Sequence, residues 1–255
     1  MKKERIFSVR KARYEIDMTR GPLFGKLISF SVPLMLTGIL QLLYNAADMV
    51  VVGKYGSDTS LAAVGSTGSL INLIVNVLMG MSVGAGVVVA NAIGAGNREK
   101  ASHATHTAIF ISIIFGIGVG IFGVFMSRPL LEMMKSPEDV IELSSLYVKI
   151  YFAGLPVTML YNFGSSILRA TGDTKRPLYF LILSGMVNVV LNLVFVIGFK
   201  MDVAGVAIAT VISTAISAAL VTACLMKSDG PCRLYIKKLR IYGKELLEMT
   251  KIGLP

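Results

Sequence analysis

The sequence predicts an all-α polytopic membrane protein, on three observations. Its apolar residues gather into six runs of about 20 residues or more, the length a helix needs to cross a bilayer. Its Lys and Arg residues concentrate in alternate loops between those runs. Only 16% of residues are charged and mean hydropathy is +0.71, whereas a soluble domain carries about 25% charge.

Taken in order, residues 1–26 form a basic cytoplasmic N-terminal segment, and the bundle of six spans occupies 27–226. The first span, 27–52, follows a long basic stretch and exceeds a signal-peptide core, so it reads as a retained helix. The second, 60–92, is long and glycine-rich, which predicts tilt or a kink. The third, 101–126, ends where Arg128-Pro129 breaks the apolar pattern. The fourth, 138–168, starts amphipathically around Glu142 and Lys149, so its start projects from the membrane or faces a cavity. The fifth and sixth span 178–199 and 203–226. Residues 227–250 alternate basic and apolar side chains and predict an amphipathic linker helix on the cytoplasmic interface. Residues 251–255 then read as the start of a seventh span, because Ile252-Gly253-Leu254-Pro255 is weakly similar to Phe30-Ser31-Val32-Pro33 at the entry to the first. On this reading the chain is about half of a larger protein, in which two six-span repeats flank a midplane site.

Charge sets the direction. Of the 25 basic residues, 20 fall in the N-terminal segment, the second-to-third loop, the fourth-to-fifth loop and the C-terminal segment. The alternate loops hold 4: Lys54, Arg128, Lys135 and Lys200. By the positive-inside rule both ends are cytoplasmic, and the plasma (inner) membrane is the expected location. The net charge of +10 does not indicate nucleic acid, because the basic residues flank apolar runs and form no stripe on a soluble face. Cys224 and Cys232 have no metal or disulfide spacing.

Asp48 is the leading functional candidate. It is the one charged residue between Lys26 and Lys54, and a carboxylate inside a span costs about 2.5–3.5 kcal/mol on insertion scales. Such a group faces a cavity or partner, and an isolated one is a natural proton carrier. Asn188 and Asn192, four apart, share one helix face and offer amide groups to a carboxylate or oxygens to Na⁺. Thr210 adds a hydroxyl, unless it bonds its own helix backbone. Tyr44, Tyr151 and Tyr161 are candidate cavity residues, and Met-rich spans suit varied apolar ligands or ordinary core packing. Asn72 and Asn76 repeat the four-residue spacing, for packing or cavity lining. Gly80, Gly84 and Gly86, with Gly116, Gly118 and Gly120, read as close helix packing, since no strand–turn–helix context supports a nucleotide fingerprint. His103 and His106 lack a third metal ligand, and no span carries a catalytic pairing, so neither a bound cofactor nor an enzyme is indicated.

Several stretches carry a resemblance. Pro33 with Tyr44-Asn45-Ala46-Ala47-Asp48, Leu61-Ala62-Ala63-Val64-Gly65, Gly94-Ala95-Gly96-Asn97, Asn188-x-x-x-Asn192 and Gly205-Val206-Ala207-Ile208-Ala209-Thr210 are spread over nearly the whole chain. Leu168-Arg169-Ala170-Thr171-Gly172-Asp173-Thr174-Lys175-Arg176-Pro177 is the most specific. Jointly they resemble the N-terminal half of the multidrug and toxic compound extrusion (MATE) family. The resemblance implies the six-helix N-lobe of a twelve-helix transporter and export of amphiphilic, often cationic, drug-like molecules in exchange for H⁺ or Na⁺. It implies cation coupling at Asp48, with Asn188, Asn192 and Thr210 at matching polar positions and Asn162 as a further cavity position. Some members carry a carboxylate where Asn192 stands, and its absence favours protonation of Asp48 over a highly charged Na⁺ cage. The partners implied are the lipid bilayer and a C-terminal lobe. The alternative is a lipid-linked oligosaccharide flippase of related architecture, which places basic residues in its cavity; here only Lys149 lies within a span.

Overall fold

The long apolar runs become long helices in the computed structural model, which describes residue 16 and residues 23–253. In chain order these are α1 (Leu23–Tyr55), α2 (Asp58–Gly94), α3 (Arg98–Met133), α4 (Ile141–Ala153), α5 (Leu155–Ala170), α6 (Lys175–Asn192), α7 (Asp202–Lys227) and α8 (Gly243–Gly253). A π-helical turn, Leu193–Gly198, extends α6. Capping residues fix the starts. The Ser57 hydroxyl accepts from the Ser60 N–H at 3.2 Å, and the Asn97 side chain accepts from the Lys100 N–H at 2.9 Å. Gly96, at φ +70°, makes the turn between α2 and α3.

Five helices are individually long and apolar enough to span a bilayer, and α4 with α5 forms a sixth span bent by 48°. The bend corrects the expected continuous fourth span. Pro156 has no N–H to offer the Phe152 carbonyl, so the helical ladder is interrupted there. Gly154 at the joint lets Val211 of α7 pack where a side chain would otherwise sit. The third span departs from expectation the other way: α3 continues through Arg128-Pro129 to Met133. Pro129 removes one hydrogen bond, to the carbonyl of the exposed Phe125, which solvent or headgroups can satisfy. Arg128 is not a helix end; it pairs with Glu132 at 3.0 Å and Glu142 at 2.8 Å across the α3–α4 turn.

Glycines seat α3 against the α4–α5 span. A β-carbon on Gly116 would lie 2.5 Å from the Cα of Pro156, and one on Gly120 would lie 2.8 Å from the Phe152 carbonyl. Gly123 sits under the Phe152 ring, and Gly86 of α2 against Ser166 of α5. Gly118 differs from the packing expected of it, since nothing lies within 4 Å of its missing side chain.

The stretch expected as one amphipathic helix over 227–250 folds as an irregular segment with a single 3₁₀ turn, Ile236–Lys238, before α8. Gly230-Pro231 and the small Ser228 break the helix, and side chains of α3 clip the segment down instead. His106 donates from Nδ1 to the Ser102 carbonyl at 2.7 Å, so its Nε2 accepts from the Tyr235 N–H at 3.1 Å. The Thr107 hydroxyl accepts from the Tyr242 N–H at 3.1 Å, and the His103 ring stacks on Tyr242 at 3.8 Å. His103 and His106, which lack a third metal ligand, thus hold this segment down as a strap. Lys251–Gly253 are the last described turn of α8. Leu254 and Pro255, and all but residue 16 and residues 23–26 of the expected N-terminal segment, lie outside the described residues.

Candidate functional site

α1, α6 and α7 meet along a polar seam. Asp48 on α1 is 5% exposed, and Asn188 and Asn192 on α6 are 2% and 0% exposed. Asn192 Nδ2 donates to Asp48 Oδ1 at 2.5 Å, and to Asn188 Oδ1 at 3.2 Å. Asn188 Nδ2 donates to Thr210 Oγ1 at 3.3 Å, and Thr210 Oγ1 donates to Asp48 Oδ2 at 3.1 Å. Four side chains from three helices, the Asp48 carboxylate among them, form a closed ring of hydrogen bonds. Spacing explains it: Asn188 and Asn192 lie one turn apart on α6, and both therefore face α1 and α7. The four residues expected at a coupling site come together here.

Two features give the ring more than one arrangement. The Thr210 hydroxyl has a single proton but two acceptors, Asp48 Oδ2 at 3.1 Å and the Val206 carbonyl at 3.0 Å. Asn192 Oδ1 is fully buried and has no hydrogen-bond partner. An orphaned buried acceptor beside a carboxylate is costly unless some state of the site supplies it with a donor or a cation.

The ring borders a cavity of about 620 Å³ between the spans, in which Asp48 is the one charged side chain among the described lining residues. Tyr44, Tyr161 and Asn162, the expected cavity residues, lie on its wall, as do Tyr151, Asn72 and Asn76. The Tyr44 hydroxyl donates to the Leu181 carbonyl, and its ring rests on Gly185, where any side chain would collide with it. Lys149 is exposed and stands outside the cavity. Tyr147 also lines the cavity and escaped the sequence reading. Its signal was its place one turn before Tyr151 on α4, which puts both rings on one face. Ser184 and Ser217, joined at 2.7 Å, add a polar contact between α6 and α7 on the same wall.

Known proteins share this architecture. The MatE family model matches residues 33–194. The probable multidrug resistance protein YoeA of Bacillus subtilis (strain 168) is 32% identical over 234 residues, 89% of this chain and 50% of that protein. The multidrug export protein MepA of Staphylococcus aureus (strain bovine RF122 / ET3-1) is 25% identical over 240 residues, 92% of this chain and 52% of its own length. A crystal structure of MATE in the bent conformation superposes with a TM-score of 0.84 at 27% identity, covering 90% of this chain and 51% of that one. The chain spans about half the length of the curated relatives it matches. With its six-span bundle and with the matched region running from Pro33 in α1 to the end of α6, the chain belongs to the MatE family.

Proposed function

We propose that this chain works as the N-lobe of a cation-coupled multidrug exporter, which carries amphiphilic, often cationic, compounds outward by alternating access in exchange for H⁺ or Na⁺. The observation that carries this reading is the buried Asp48 ring opening onto a large, mostly apolar cavity with no basic side chain among its described lining residues. A site of that charge attracts cations, and its low-dielectric surround makes their arrival consequential. The absence of basic lining disfavours the flippase alternative, whose anionic cargo needs the opposite polarity.

The ring supplies a mechanism. With Asp48 ionised, Asn192 and Thr210 both donate to it, and α1 is tied to α6 and α7. When Asp48 takes up a proton, its O–H becomes a donor. Thr210 then turns its own proton to the Val206 carbonyl, and the Asn192 amide is free to present Oδ1. A Na⁺ would draw on the same oxygens. Either cation changes the tie between α1 and its neighbours, which biases one conformation over the other. A second lobe closes the cavity and is required for transport.

Asp48→Asn is expected to abolish gradient-driven export of ethidium while the protein still inserts in the membrane. The test is ethidium accumulation in cells at matched membrane expression, with and without an imposed pH or Na⁺ gradient. Export by the variant equal to that of the parent sinks the proposal, as does parental export indifferent to both gradients.

A further inference from the structure

The strap between α7 and α8 carries charge that its surroundings do not balance. Residues 233–244 hold five basic side chains, Arg233, Lys237, Lys238, Arg240 and Lys244, and no acidic one. All five are exposed, and among the described residues none of them pairs with a carboxylate. The acids that follow turn to α3 instead, with Glu245 3.8 Å from His103 and Glu248 2.7 Å from Lys100. Two aromatic rings gather the unpaired cations. Arg233 and Lys238 lie 5.2 and 5.0 Å from the Tyr235 ring centroid, and Arg240 lies 4.4 Å from that of Tyr242.

Apolar side chains share this outer face. Cys232 and Leu234 turn inward and are buried, whereas Ile236 is 63% exposed and Ile241 47%. Isoleucines interleaved with lysines and arginines are costly against water but suit a segment lying at a membrane interface. Depth agrees with that placement. The strap is held by His106 and Thr107 of α3. The predominantly apolar run of α3 starts directly after them, at Ala108, and continues to Met126. Those 19 residues make about 28 Å of helix, close to the roughly 30 Å of a hydrocarbon core. The strap therefore crosses the bundle where acyl chains give way to headgroups. Basic side chains at that level lay their stems along the acyl chains and hold their charges among the phosphates.

We infer that the strap is a docking surface for anionic phospholipids, whose phosphates meet Arg233, Lys238 and Arg240 while their acyl chains cover Ile236 and Ile241. An anionic leaflet supplies negative charge at the required depth and in the required amount. A zwitterionic headgroup brings its own cation and leaves the five charges unbalanced. A protein partner would have to bring a matching set of carboxylates to the edge of a hydrocarbon layer, where they are costly. The inference rests on the membrane-spanning fold and is independent of any coupling role of Asp48.

The chain contains no tryptophan, so Ile236→Trp places a single reporter on the strap and leaves Tyr235 in place. The test is quenching of that reporter in the full chain, in nanodiscs made of equal parts phosphatidylcholine and phosphatidylglycerol. Bromine is carried near the headgroup end of the acyl chains of one lipid or the other. Phosphatidylglycerol is expected at the strap in about fivefold or greater preference, which one cation near an anionic surface already supplies. Combining Lys237→Gln, Lys238→Gln and Arg240→Gln with the reporter is expected to bring the preference close to parity, with quenching retained. Added NaCl should do the same to the unsubstituted strap, which tests the charge without relying on a variant. Equal quenching by the two brominated lipids overturns the inference. So does weak quenching by both, which would mean that something other than the bilayer covers this face. A preference that survives the three replacements or high salt overturns it as well.

Discussion

α1 and α3 are both long apolar helices, yet the bundle holds them by different means. α3 is seated by shape: Gly116, Gly120 and Gly123 let the bent α4–α5 span approach to backbone contact. α1 presents most of its length outward, with Met35, Leu42 and Val50 among its exposed side chains. Polar groups tie it down: Asp48 to Asn192 and Thr210, and Tyr44 to the Leu181 carbonyl. Packing of small residues depends on nothing that can be titrated or bound. A carboxylate's hydrogen bonds change when a proton or cation arrives. On the coupling proposed above, the helix that answers to the ion is the span with the smallest buried share.

Overpacking the α3 seam should produce the largest loss of stability. Gly116→Leu drives a side chain into Pro156 and is expected to cost about 2–3 kcal/mol, read as a lowered melting temperature in detergent. An unchanged melt would mean that the seam is looser than its glycines indicate. Next in size is Asn192→Ala, which leaves Asp48 Oδ1 without its donor. It should cost about 1–2 kcal/mol of stability, and its larger signature should be a drop in ethidium export of tenfold or so. A variant that melts early but exports normally would make this seam structural, like that of α3. Tyr44→Phe removes one interhelical hydrogen bond and should cost only about 0.6 kcal/mol, with export nearly intact. A loss as large as that of Asn192→Ala would place Tyr44 within the ring's work.

The sequence shows the spans and the ring for the same reason: both depend on regular spacing. Runs of about 20 apolar residues mark the helices, and Asn188 and Asn192 announce a shared face by their separation. Departures from regularity were harder to read. Pro129 and Pro156 look alike in sequence, but one rides within α3 and the other marks a 48° bend. The difference lies in Gly154 and in what α3 and α7 press against the joint, which are tertiary facts. The amphipathic pattern of 227–250 suggested a helix, whereas His106 and Thr107, more than a hundred residues earlier, dictate its irregular path.

The bend at Gly154 also divides the cavity wall between two rigid arms. Tyr147 and Tyr151 ride on α4, and Tyr161 and Asn162 ride on α5. Any change in the angle between the arms alters the spacing of these rings, as a hinge sets the gape of a clasp. Because Gly116 and Gly120 of α3 press on Pro156 and Phe152 on either side of the joint, the seat that packs α3 also holds the angle that spaces these rings.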